Sequence, residues 1–78
     1  MKKEQYFLVK TWHPHRGTTA EKPACYFYGS YIYHFPLEKV RAGLVYTSRK
    51  RAENVAARNA TIYTKTEVIE IPAEMIID

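Results

Sequence analysis

Residues 25–35 read CYFYGSYIYHF, two aromatic β-forming runs on either side of Gly29-Ser30. Glycine takes the left-handed first position of a type II′ turn without strain, so the pair predicts a two-residue β-hairpin. Such a turn sets the register, and side chains alternate between faces along each strand. Tyr28 then stands opposite Tyr31 and Tyr26 opposite Tyr33, with Ala24 and Phe35 behind these four phenols. The other face pairs Phe27 with Ile32 and Cys25 with His34. This asymmetry predicts one core-facing side and one wet, aromatic side suited to recognition.

Before the hairpin, YFLVKTW at Tyr6–Trp12 is rich in β-formers and too short for a confident helix. It predicts a strand with Tyr6, Leu8, Lys10 and Trp12 on one face and Phe7, Val9 and Thr11 on the other. Phe7 and Val9 are expected in the core, with Leu8 also able to bury if helices or loops cover both sides. Residues 13–23 hold two prolines, a glycine and small polar side chains, and so predict a long loop. After the hairpin, Pro36 ends the ladder, and residues 37–42 are expected to make one helical turn stopped by Gly43. Residues 44–46 read as a short strand or an extended lead-in. Thr47 or Ser48 then caps a helix ending at Arg58 or Asn59, with Ala52, Val55, Ala56 and Asn59 along one face. A stripe of such small side chains predicts close packing on a sheet. Residues 61–71 are β-branched almost throughout, which predicts one long strand or two bent near Lys65 and Thr66. Ile69 and Ile71 share a face and point to the core. Pro72 breaks the strand, and the 73–78 tail, with Met75, Ile76 and Ile77, is expected to dock or to add an edge strand.

The expected fold is therefore α+β: a small antiparallel sheet with a central hairpin and one main α-helix packed on one face. The 78 residues make a single domain, 1–78. Aromatic residues form 14% of the chain and seven of them are tyrosines, side chains that tolerate half-burial and favour interfaces. The formal charge of +4 is a mild excess that favours an acidic partner, such as a phosphate backbone or an acidic protein face. One cysteine excludes an intrachain disulfide, and a reducing compartment is the default. No apolar run approaches the roughly 18 residues that span a bilayer. Residues 1–5 lack an apolar stretch or cleavage signal after their lysines, so a cytoplasmic, unprocessed protein is expected, without membrane attachment.

Two features carry candidate binding chemistry. Tyr26, Tyr28, Tyr31 and Tyr33 offer a plate for a protein interface or for stacked bases, each stacked base being worth roughly 1–3 kcal/mol. Arg49, Lys50, Arg51 and Arg58 place positive charge on the helix, the first three at an N-terminus whose dipole prefers acids. Such a placement points to phosphates or carboxylates as partners. The stacking analogy is with RNA-recognition sheets, whose glycine-and-aromatic motif is missing here. His13 and His15 form the one tight pair of metal-ligand type, whereas zinc sites normally show two, so no metal is expected. Phosphate-binding glycine loops, nucleophile elbows and His-Glu-x-x-His are absent, so no cofactor and no catalytic residue is expected. A Cys25 and His34 nucleophilic pair is a remote alternative that lacks oxyanion donors.

Val45, Tyr46, Thr47 and Ser48, the alanines at 52 and 56, and the strand Val68, Ile69, Glu70 and Ile71 resemble small single-domain proteins encoded by phages. Several of these, anti-CRISPR proteins among them, occupy a host complex without catalysis. The resemblance implies a non-enzymatic inhibitor and transfers no functional residue. The resulting expectation is a module that engages a partner protein through the tyrosine face and the basic helix edge. Nucleic-acid binding is the alternative, and a homodimer is compatible with either.

Overall fold

The computed structural model describes residues 5–77; Met1 to Glu4, where an unprocessed start was expected, and Asp78 of the tail lie outside them. Strand β1 (Tyr6–Trp12) forms as its β-rich composition requires, followed by β2 (Cys25–Tyr28) and β3 (Tyr31–His34) of the hairpin. With β5 (Lys65–Ile71) these build a four-stranded antiparallel sheet in the order β3-β2-β1-β5. A further pair, β4 (Val40–Arg41) and β6 (Ile76–Ile77), is parallel and lies outside this sheet. One helix, α1 (Arg49–Asn59), completes the α+β domain.

β1 is covered on both faces. Phe7, Leu8 and Val9 are 1%, 0% and 0% exposed, which a strand with one wet face would not allow. Phe7 and Val9 meet α1 through Ala52 and Ala56, with Val55, Phe27 and Val68 packed around them. Alanines let the helix axis approach the sheet closely. Ser48 caps α1 by accepting a hydrogen bond from the Arg51 amide at 3.2 Å. Thr66 Oγ1 donates to the Ala56 carbonyl at 2.8 Å, tying β5 to the last turn of the helix. On the opposite face Leu8 packs with Tyr26, Val40, Val45 and Ile71, and Leu37, Met75 and Ile76 close over them.

Three local expectations are corrected. Residues 37–42 form no helical turn: Val40 is fully buried and pairs with Ile76, so long-range packing overrides local helix signals, and a 3-10 turn follows only at Ala42–Leu44. The strand expected from residue 61 starts at Lys65. Thr61 Oγ1 accepts from the amides of Tyr63 and Thr64, and its own amide donates to the Thr64 carbonyl, which curls residues 61–64 into a turn. Asn59 leaves the packed stripe and is exposed, its side chain donating to the Val55 carbonyl. Other expectations hold. The tail docks through β6. Residues 44–46 are the extended lead-in and not a strand: Leu44 ends the 3-10 turn, and Tyr46 makes a single bridge in which it exchanges both backbone hydrogen bonds with Phe7. Residues 13–23 are a loop apart from a 3-10 turn at Pro14–Arg16, and the Phe35–Pro36 peptide is cis. Among the described residues no helix is long and apolar enough to cross a membrane.

Because the Ser48 side chain satisfies an otherwise orphaned amide at the start of the helix, Ser48→Ala is expected to lower stability by about 1 kcal/mol. In a thermal melt this corresponds to a fall in Tm of about 4–8 °C. An unchanged Tm would show that the cap contributes nothing.

Candidate functional site

The hairpin has the register that its turn demands, with Cys25 opposite His34, Tyr26 opposite Tyr33, Phe27 opposite Ile32 and Tyr28 opposite Tyr31. Gly29 has φ 59° and among the described residues no non-glycine residue has positive φ, so Ser30 follows it with negative φ, as a type II′ turn requires. The Gly29 amide donates to Tyr46 Oη at 2.9 Å, which anchors the turn to the segment leading into α1.

The four phenols share the face opposite the helix, but they do not form an open plate. Tyr26 is 7% exposed and belongs to the core around Leu8. Tyr33 is half-buried; its Oη donates to the Leu44 carbonyl at 3.1 Å and accepts from the Arg41 amide at 3.2 Å. Tyr28 is half-buried against Tyr46, ring centroids 4.7 Å apart. Tyr31 alone of the four is exposed, at 42%, and meets Tyr33 edge-on at 4.9 Å. The cover comes from residues 37–46 and the docked tail. Burial pushes the phenol of Tyr26 up in pKa, with nearby Lys10 pulling it partly back. Burial likewise raises Tyr33, offset in part by the hydrogen bond from the Arg41 amide.

The opposite hairpin face, expected in the core, is only partly covered because α1 lies over β1 and β5. Phe27 packs half-buried beside the helix, whereas Ile32 is 52% exposed and His34 is exposed. Cys25, Phe27, Ile32 and Asn59, with the turn residues, line an open groove of about 200 Å³. Cys25 is a free cysteine here, and burial pushes its thiol up, away from the thiolate that nucleophilic chemistry requires.

Arg49, Lys50, Arg51 and Arg58 are all exposed on α1. Arg49 is engaged within the fold, 3.8 Å from Glu53 and with its guanidinium 5.0 Å from the centre of the Phe7 ring. The sheet separates this helix from Tyr31 and Tyr33, so the two expected halves of the binding surface do not adjoin.

What the hairpin does present is its edge. Among the described residues β3 and β5 are the two margins of the sheet. β5 carries Lys65, Glu67 and Glu70, charges of the kind that discourage further strand pairing. β3 has no acidic, lysine or arginine residue, and Tyr31, Ile32 and the adjoining Phe35 are 42%, 52% and 41% exposed. Ile32 and Phe35 had no place in the sequence reading as binding residues, since alternation assigned Ile32 to the core. A second feature it missed joins the 13–18 loop to the 61–64 turn: His13, His15, Arg16, Tyr63 and Thr64 line one cleft. A scan against protein-family models, a search of curated proteins and a search of solved structures each return no match.

The unequal burial of the tyrosines separates their roles. Tyr26→Ala is expected to cost about 3–5 kcal/mol, whereas Tyr31→Ala should cost about 1 kcal/mol or less. Urea titration measures both, and equal losses would contradict the geometry. With Tyr26 and Tyr33 titrating higher in the folded state, their stabilising contribution is intact below the ordinary phenol pKa of about 10 and is lost as pH rises through their folded values. Phenolate absorbance from these two rings should therefore rise only above that ordinary value, together with loss of helical circular dichroism.

Proposed function

We propose that this protein is a non-enzymatic binding module that takes an extended segment of a partner protein onto β3 by strand addition. The observation that carries this reading is the contrast between the two margins of the sheet: β5 carries lysine and glutamates, whereas β3 has no acid, lysine or arginine and is lined with exposed Tyr31, Ile32 and Phe35. In strand addition the backbone ladder supplies affinity and alternate side chains supply specificity. Here Tyr31 stands on one face as an aromatic anchor, and on the other the groove beside Ile32 is large enough for one bulky side chain of the partner. The basic helix on the far side adds long-range attraction for an acidic partner. The resemblance to phage-encoded inhibitors supports occupancy of a host complex as the mode of action.

The separation of the tyrosines from the basic helix favours a protein partner over a nucleic acid lying across both. A single strand cannot stack on Tyr31 and place its phosphates on Lys50 and Arg51 without passing around the sheet.

The test compares the wild-type chain with Ile32→Arg and Tyr31→Ala in capture from nuclease-treated lysate of the native host. Ile32→Arg puts a charge on the pairing edge and is expected to weaken capture about tenfold or more, with Tm nearly unchanged. Capture equal in all three proteins, or abolished by nuclease alone, would refute the proposal. Sedimentation distinguishes the competing occupant, a second copy: a dimer dispersed by Ile32→Arg would assign β3 to self-association.

A further inference from the structure

The cleft at the end of the sheet away from the hairpin turn is built from two tight turns held by their own hydrogen bonds. In one, the amides of Arg16 and Thr18 donate to the His13 carbonyl, the His13 amide donates to Thr18 Oγ1, and Gly17 takes φ 86° to close the loop. In the other, Thr61 organises residues 61–64 through both its backbone and its hydroxyl. Two contacts join the turns: His13 Nδ1 lies 3.2 Å from Thr64 Oγ1, and the rings of His15 and Tyr63 meet edge-on at 5.5 Å. The result is a half-open cleft of about 520 Å³ lined by His13, His15, Arg16, Tyr63 and Thr64.

Its chemistry is one-sided. Every polar side chain in the lining can donate a hydrogen bond, one is a permanent cation, and there is no carboxylate. Residues 11–20 and 54–66, which contain both turns, hold no aspartate or glutamate but include Arg58 and Lys65. The nearest acid along β5, Glu67, is 2.9 Å from Lys10 and therefore already partnered. Such a surface selects an anion. The volume falls within the range for organic ligands, well above that of an inorganic ion. Tyr63 is 62% exposed, with the His15 ring at its edge, and Ile62 beside it is 77% exposed, so an aromatic and apolar wall stands open to solvent. A ligand that uses both the donors and the wall joins an oxyanion to a planar ring.

We infer that this cleft binds a nucleoside phosphate, with Arg16 and the His13 and His15 imidazoles on the phosphate oxygens and Tyr63 against the base. A free mononucleotide and the 5′-phosphorylated end of a strand share that chemistry. The site is independent of strand addition at β3 and uses none of its residues.

The test is titration of the full chain with adenosine monophosphate, followed by amide chemical shifts at low salt. Saturable shifts are expected at residues 13–18 and 61–65, with adenosine and inorganic phosphate each binding at least tenfold more weakly. Arg16→Ala and Tyr63→Ala, both at exposed positions, should each weaken binding roughly tenfold. Ile32→Arg should leave it unchanged, which keeps the outcome separate from that of strand addition. A 5′-phosphorylated oligonucleotide that binds more tightly than the mononucleotide and loses affinity in the same two variants would assign the ligand to strand ends. Absence of saturable shifts with either ligand, equal binding of adenosine and its phosphate, or affinity indifferent to both variants would overturn the inference.

Discussion

Phe7, Leu8 and Val9 are consecutive and all but inaccessible to water, so β1 must be covered from both sides. Fully burying side chains of this size is worth about 1.5–3 kcal/mol each, a large share of the net stability of a small domain. One helix covers one face. The other needs a second layer, and the chain has only short irregular segments left to make it. Residues 37–46 and the tail supply it through Val40, Val45, Met75 and Ile76, with the β4 and β6 pair holding the two segments together. The domain thus becomes three layers deep at its centre while staying thin at its margins.

That arrangement explains the uneven fate of the hairpin. β2 adjoins β1 and shares its cover, which is why Tyr26, opposite Lys10 on the second face, is buried. β3 lies one strand farther out, where the second layer reaches only Tyr33. Tyr33 is drawn inward by two hydrogen bonds to residues 41 and 44, and Tyr31 and Ile32 remain outside. Exposure on the hairpin is set by distance from β1 and by how far residues 37–46 extend over the tyrosine face.

The same physics separates what was legible in the sequence from what was not. β1, the hairpin register and the capped helix follow from local signals: β-rich composition, the Gly29 turn and Ser48 before a small-residue stripe. The α+β class follows from their order. Burial of the tyrosine face was not legible, because its cover comes from residues with no periodicity, and Val40 is buried only through its pairing with the distant Ile76. The 61–64 turn was hidden for a different reason. Thr61, Ile62, Tyr63 and Thr64 all have high β propensity, and only the hydrogen bonds of the Thr61 hydroxyl reveal that they curl instead. The cleft built on that turn was invisible with it, as was the role of Tyr63.

Among the described residues the buried apolar side chains are spent on the two faces of the sheet. The exposed large apolar side chains should then collect wherever exposure serves a partner, since elsewhere they cost solubility. Among the described residues they fall into two groups, Tyr31, Ile32 and Phe35 at the β3 edge and Ile62 and Tyr63 at the turn before β5, with Ile77 separate in the tail. The first group has a backbone edge beside it and the second has cations and imidazoles. Among the described residues the exposed large apolar side chains of the sheet therefore stand at its rim, and the chemistry available at each part of the rim differs because different neighbours stand there.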